Sequence, residues 1–575
     1  MSAGPARMRE IPPQEAARRA RRRVRLLALA FMLAFAAVGA RLFEIQRLAP
    51  APRPEIVARG AKRLAVRREI VDRHGRLLAT NVRTLALAVD PARLPDPEEA
   101  ARQLAAILEG VDAARLRERL RPERRFAWVK RRLSAREQQA VQELGLPGII
   151  FVPTVRRVYP QRALFAHLLG AVGVDGQGLA GAEGGLDRLL LAGDEVGPLA
   201  LSVDLRVQQA LREELQDGFR RFRASGACGL VMDVRSGELL ALVSLPDFDP
   251  NAYGGARPEQ RRDRCTGSVY ELGSLFKLVS VAAALDSGAV TLRDRFDARM
   301  PLRIGRHRID DDHARRRWLT VPEILAFSSN IGTVQMVFAA GGAGRERRYL
   351  ERLGLAGPLA IELVERERPL FPRRWPDIVA ATVSYGHGIA VTPLHFAQAV
   401  AALAHDGRLR PATLLAGGRA PTRGVLDNPR IIDDLRWLMW LVVERGTGTR
   451  AQVPAYLVGG KTGTADKPAP GGGYRSGQVV ASFLGVFPVE DPRYLVLVLL
   501  DEPKGDRSTF GFRYGGWTAA PVVARVIERI GPLLGVPPSS AEARARFAAR
   551  LAITPAFNGR TGRMEDGLAA LDAGG

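Results

Sequence analysis

Two serines and two lysines define the chemistry open to this chain. Ser274 is followed three residues on by Lys277 in GSLFKLVS, and Lys461 opens the run KTGT that ends at Thr464. Of 85 lysines and arginines only six are lysines, so lysine at either place departs from the chain's habit. A guanidinium stays protonated, whereas a partly buried lysine amine can shed its proton and act as a base. Residues three apart share a helix face, which brings the Lys277 amine within reach of the Ser274 hydroxyl, a nucleophile beside its base. With 18 serines and six lysines in 575 positions, such a pair arises by chance about 0.2 times, so alone it competes with an ordinary surface helix. In KTGT, Gly463 lets another backbone approach, and Thr462 and Thr464 set hydroxyls beside a cation, which suits a carboxylate. A solvated lysine in a glycine turn after a short strand fits each half of that description too. The third group is Ser328-Ser329-Asn330, which interrupts the apolar helical run VPEILAFSSNIGTVQMV. Such residues are poor helix formers whose buried polar atoms need partners; a helix cap explains them as well.

The elements that must hold these residues follow from the apolar pattern. VDLRVQQALREELQDGFRRF is apolar at helical spacing, and GLVMDV and LLALVSL flank the turn RSGE as a hairpin. VVASFLGVFPV and RYLVLVLLDEP are two more strands, around Asp491-Pro492. Strands at both ends of a region with helices between predict an α/β layer fold with a mostly antiparallel central sheet and flanking helices. Ahead of it, from Ala61 to about Gly197, the pattern is mixed α+β. REIVDRHGRLLATN gives strand-like runs about a His-Gly turn, LALAVDP another short strand, and PEEAARQLAAIL and SAREQQAVQEL are helical. From Ala541 a charge-rich, Ala-rich stretch reads as a peripheral helix and tail.

Net charge is +24, and residues 1–25 hold eight arginines against Glu10 and Glu15. Such an arm raises nucleic acid as a partner, but the uncharged run LLALAFMLAFAAVGA follows directly, between Arg25 and Arg41. Extended from Val24 to Ile45 with both arginines at the interfaces, it matches the roughly 30 Å hydrocarbon core. The arginine-rich leader then stays cytoplasmic and the rest is exported. A cleaved signal peptide is the competing reading, since Ala37 and Gly39 are small residues at suitable spacing. Export puts Cys228 and Cys265 in an oxidising compartment, where a disulfide can form, though spacing alone does not say whether it does. Asp310-Asp311-Asp312-His313 has metal-ligand types, but four consecutive side chains rarely converge on one ion, so the stretch reads as a solvated loop. His387, between glycines in SYGHG, reads as a turn residue near the cleft. No P-loop, dinucleotide fingerprint or His-Glu-x-x-His site is present, so no cofactor or metal is expected.

S-x-x-K, S-x-N and K-T-G in that order resemble the motif set of penicillin-binding proteins and serine β-lactamases. The separations fit: 54 residues from Ser274 to Ser328 and 133 from Ser328 to Lys461. The wider chain resembles class B penicillin-binding proteins of the cell-division, FtsI type, through REIVDRHGRLLA, RRVYP, AHLLGAVGVDGQGLAGAE, YELGSLFK, SSNIG, SYGHGIAVTPLHFAQAVAAL, VERGTGTRAQVPAYLVGGKTGTA and YGGWTAAPVV. One departure is Leu272, where the family usually has proline before Gly-Ser.

The resemblance implies a peptidoglycan D,D-transpeptidase cross-linking stem peptides that end in D-Ala-D-Ala during septal wall synthesis, acylated by β-lactams. Ser274 is the implied nucleophile, Lys277 its base, Ser328 a proton relay and Asn330 a holder of the peptide amide. Lys461, Thr462 and Thr464 take the terminal carboxylate beside Gly463, and the backbone N–H groups of Ser274 and Thr464 form the oxyanion hole. The implied organisation is a leader (1–23), transmembrane anchor (24–45), pedestal resembling the family's dimerisation domain (46–200), transpeptidase domain (201–540) and tail (541–575). The implied setting is the cytoplasmic membrane at the septum, crossed once, with the catalytic domain outside. A membrane glycosyltransferase of the FtsW type and other divisome proteins are the implied partners, and nucleic acid is not one. A transpeptidase of cell elongation, a non-catalytic receptor or scaffold for β-lactam or wall peptide, and a secreted β-lactamase are the alternatives.

Overall fold

The computed structural model describes residues 13–48, 66–192, 196–418, 421–469 and 471–553. The start of the basic leader, the linker after residue 48 and the tail from residue 554 lie outside the described residues.

Pro13–Leu48 is one continuous helix of 36 residues. Within it Arg21–Glu44 is long and apolar enough to cross a membrane. Its large side chains, Leu26, Phe31, Leu33 and Phe35 among them, are exposed, a surface that an apolar solvent would satisfy and water would not.

The remainder forms two compact units. In the smaller, residues 84–154, the predicted helices are present at Pro97–Ile107, capped by Asp96, and at Ala135–Glu143, opened by a Ser134–Glu137 capping box. Leu104, Leu116 and Val141 fill its core. The two short strands expected about LATN and LALAVDP are one strand, Leu77–Val89.

The larger unit comprises residues 66–83 and 155–553. Its working part runs α1 (Leu205–Arg221), β1 (Gly226–Asp233), β2 (Leu239–Leu245), α2 (Lys277–Asp286), α3 (Val321–Phe327), α4 (Asn330–Ala339), α5 (Ile431–Arg445), β3 (Gly459–Pro468), β4 (Tyr474–Phe487), β5 (Tyr494–Asp501) and α6 (Gly515–Leu533). The strands form one sheet in the order β3-β4-β5-β1-β2, every pair antiparallel. That is the layered, antiparallel arrangement the sequence predicts.

β1, β2 and β5 are buried almost without alternation, unlike an antiparallel sheet with one wet face. Successive residues instead enter two different cores. Leu230, Met232, Leu497 and Leu499 pack in the core that includes α2, while Val231, Val496 and Val498 pack with Leu211 and Leu215 of α1 and Val522 and Val526 of α6. Helices therefore cover both faces, and the first strand in space, β3, is left as an edge. Cys228 of β1 and Cys265 are joined by a disulfide, with Cα atoms 5.4 Å apart. The bridge fixes the loop that leads into Ser274 to the middle of the sheet.

Candidate active site

Ser274 sits on a single 3-10 turn, Gly273–Phe276, and the α-helix begins only at Lys277. The sequence reads as one helix; the tighter turn is the difference, and it matters because residues three apart eclipse one another in 3-10 geometry. Lys277 Nζ lies 2.9 Å from Ser274 Oγ. The turn is held in place by close backbone approach. Gly273 has φ +53°, and a Cβ there would stand 2.2 Å from the Thr464 carbonyl oxygen of β3. On its other side, a Cβ on Gly386 would meet the Gly273 carbonyl at 2.1 Å. Leu272 is buried and packs into the main core at the entry to the turn.

Ser328 ends α3 in the left-handed conformation, φ 61°, and Ser329 caps α4, so the interruption in the apolar run is a break between two helices. The break turns Ser328 inward. Its carbonyl accepts from Lys277 Nζ at 2.5 Å, and its Oγ lies 3.1 Å from Lys277 Nζ and 3.0 Å from Lys461 Nζ. Lys461 lies inside β3, opposite Leu484 of β4, and not after a strand as its sequence suggests. Its amine also donates to Thr462 O, 3.1 Å, and to Thr462 Oγ1, 3.2 Å. Thr462 Oγ1 pairs with Thr447 Oγ1 at 2.7 Å, and Thr464 Oγ1 accepts from Gly515 N at 3.1 Å. Gly463 leaves room that a Cβ would take from Leu272 O, 2.6 Å away, so β3 lies flush against the Ser274 turn.

Both lysines are buried. Loss of solvation lowers the Lys277 amine to about 8, and Asp311 and Asp312 oppose that by favouring its charged form. Burial takes Lys461 well below the usual lysine range, and the charge of Lys277 pushes it further down. The arrangement thus holds an amine able to accept a proton at near-neutral pH against a hydroxyl at the mouth of a cleft.

Of the sequence-predicted residues, Ser274, Lys277, Ser328, Lys461, Thr462, Gly463 and Thr464 converge on this cleft. Asn330 is not among the residues that line it; its Nδ2 donates to Asp310 O at 2.9 Å. Three contributions went unread in the sequence. The loop at 310–313 is part of the site: Asp312 and His313 line the cleft with Ser274, and Asp311 binds the Ser328–Ile331 turn. Thr447, Arg450, Tyr514 and Trp517 close another wall, with the Arg450 guanidinium 3.8 Å from the Trp517 ring centre. The segments VERGTGTR and YGGWT that carry them were visible without a role attached to each residue. His387 does occupy a Gly-x-Gly turn, and it also packs on Tyr385 and Tyr474 with burial depressing its pKa. Among the described residues no cluster of metal-ligating side chains occurs.

Two family models match the chain. Residues 227–528 match the penicillin-binding protein transpeptidase domain, and residues 62–189 match the penicillin-binding protein dimerisation domain. The chain is 44% identical over 482 residues to a probable peptidoglycan D,D-transpeptidase FtsI of Caulobacter vibrioides, covering 82% of each protein. It is 30% identical to the peptidoglycan D,D-transpeptidase FtsI of Escherichia coli, covering 82% of this chain and 84% of that one. Penicillin-binding protein 3 of Mycobacterium tuberculosis shares the fold, with a TM-score of 0.65 at 22% identity over 83% of this chain and 98% of that one.

Proposed function

The chain belongs to the class B penicillin-binding proteins of the FtsI type, and from that premise we propose a mechanism in which Ser274 carries the acyl group of peptidoglycan cross-linking. The enzyme is a D,D-transpeptidase of cell division. Ser274 Oγ attacks the carbonyl of the penultimate D-Ala of a stem peptide as its proton passes to Lys277. The oxyanion is met by the backbone N–H groups of Ser274 and Thr464. The C–N bond then breaks, Ser328 relays a proton to the departing amine, and D-Ala leaves an ester on Ser274. An amine of a second stem peptide attacks that ester, loses its proton to the same relay, and restores the serine. Lys461, Thr462 and Thr464 bind the terminal carboxylate, beside Gly463, which lets β3 close on the turn; Asn330 holds the peptide amide. β-Lactams acylate the same hydroxyl.

One observation carries this reading: a buried amine with a pKa lowered to about 8 lies 2.9 Å from Ser274 Oγ. The test is labelling with fluorescent penicillin followed by mass spectrometry. Wild-type protein is expected to carry the adduct on Ser274, and Ser274→Ala to carry none; an adduct on another residue overturns the assignment.

The same reading extends to organisation and setting. Residues 1–23 form a cytoplasmic leader, 24–45 a single-pass anchor, 46–200 a pedestal, 201–540 the external transpeptidase domain and 541–575 a tail, at the septal cytoplasmic membrane. Support comes from the helix Pro13–Leu48 and its apolar span. A membrane glycosyltransferase of the FtsW type polymerises the glycan that this chain cross-links. Co-purification in mild detergent that is lost on replacing residues 24–45 is the expected result; its absence with the native anchor rejects that partner.

A further inference from the structure

Four neighbouring acidic and imidazole side chains look interchangeable at 310–313, yet the structure treats them differently. Asp310 is paired with Arg308 at 3.0 Å and with Arg316 at 3.4 Å. Asp312 and His313 are exposed on the cleft wall. Asp311 is half-buried and, among the described residues, forms no ion pair with lysine or arginine, although the chain carries a net charge of +24. Its carboxylate is spent on backbone and hydroxyl. Oδ2 accepts from Ser329 Oγ at 2.8 Å and Oδ1 from Ile331 N at 2.9 Å, while the neighbouring Asp310 carbonyl takes Asn330 Nδ2. Ser329 Oγ in turn accepts from Gly332 N at 3.0 Å, so the first turn of α4 is tied to the loop through two successive hydrogen bonds.

The far side of this same turn is Ser328, whose carbonyl and hydroxyl hold the Lys277 amine. A non-glycine residue at φ 61° costs energy that its surroundings must offset. The clamp at Ser329 and Ile331 provides that restraint from outside. We propose that Asp311 is a positioning residue for acylation: its two hydrogen bonds fix the Ser328–Ile331 turn, and with it the Ser328 carbonyl and hydroxyl that hold the Lys277 amine. The inference rests on the assignment of Ser274 as nucleophile and Lys277 as base.

The groups that face Lys277 come from every element around it: Ser274 on its own turn, Ser328 between α3 and α4, Lys461 on β3, His387 in the Gly-x-Gly turn, and Asp311 and Asp312 in the loop. Of these the two aspartates favour the charged amine, Asp311 more than Asp312. Neutralising Asp311 therefore lowers the pKa of Lys277 further, and the acid limb of an acylation profile moves to lower pH.

The experiment measures the second-order rate constant of acylation by fluorescent penicillin from pH 5 to 10 for wild type, Asp311→Asn, Asp311→Glu and Ser329→Ala. In Asp311→Asn the plateau is expected to fall about tenfold, the worth of one hydrogen bond to a charged group, and the limb to shift down by about one pH unit. Ser329→Ala removes one tie and keeps the charge, so its plateau falls by a similar factor with the limb unmoved. Asp311→Glu keeps the charge on a longer arm and gives a lowered plateau with the wild-type limb. A limb in Asp311→Asn that stays or rises overturns the proposal, as does a wild-type plateau in Ser329→Ala. Should Asp311→Asn fail to fold, Ser329→Ala and Asp311→Glu still decide it, since a wild-type plateau in either removes the clamp. Failure of wild-type protein to acylate on Ser274 rejects the underlying assignment instead, so the two failures are distinct.

Discussion

A buried lysine offers a lone pair to a hydroxyl only where its N–H bonds have other acceptors, and Ser328 supplies two for Lys277. With one hydrogen directed at Ser328 O and another at Ser328 Oγ, the remaining valence of the neutral amine points to Ser274 Oγ. Protonation fills that position and blocks the transfer. Because burial lowers this amine to about 8, the acylation rate is expected to fall about tenfold per pH unit below that value and to level off above it. A stopped-flow profile checks this. Lys277→Arg is expected to lose about 10³ in rate and the pH dependence with it, because a guanidinium does not give up its proton. The rarity of lysine made this pair legible in the sequence. Asp311 was not legible, because its partners lie about twenty residues away across a helix break and four consecutive polar residues carry no periodicity.

At the scale of elements, the site depends on how closely an edge strand can lie against a helix turn. β3 has β4 on one side, and the Ser274 turn touches it over Gly463 and Thr464. An edge of this kind offers unpaired backbone groups to an extended peptide. Gly273→Ala is expected to separate the two, since its Cβ would fall 2.2 Å from Thr464 O in a conformation with φ +53° that alanine resists. Acylation should drop by about 10², the usual consequence of displacing a reacting group by about 1 Å, with a smaller fall in melting temperature. Penicillin labelling kinetics beside differential scanning calorimetry test this; wild-type kinetics in the variant would show that the contact is dispensable. The strands and the order of the helices were readable from apolar runs and turns. The 3-10 turn at Ser274 was not, because it is set by contact with β3 about 190 residues on, and Lys461 was read as following a strand because the glycine-rich GGKTGT lacks the apolar alternation that marks one, although it pairs with β4.

Over the whole molecule, an apolar helix and a disulfide each set a property that can be measured apart from the other. The helix Pro13–Leu48 exposes its apolar side chains, so removing residues 1–48 is expected to release the protein from membranes while leaving penicillin acylation intact, as a sedimentation assay with labelling would show. The disulfide acts differently. Cysteine spacing cannot specify a pairing by itself; here the sheet brings Cys228 of β1 against Cys265 in the loop ahead of the nucleophile, a separation of 37 residues. Closing a loop of that length in the unfolded chain is worth about 4 kcal/mol on the chain-entropy account. The double variant Cys228→Ala, Cys265→Ala is expected to unfold at lower urea concentration by that energy divided by the unfolding slope. Reductant should move the wild type toward the variant and leave the variant where it is. Both cysteines are fully buried, so alanine also opens small cavities, and the reductant arm isolates the bond from the packing. The acylation rate should fall with the bond as well, because the loop from Cys265 to Leu272 is what delivers Ser274 to β3. A reductant that changes neither the unfolding midpoint nor the rate would mean that packing alone holds that loop.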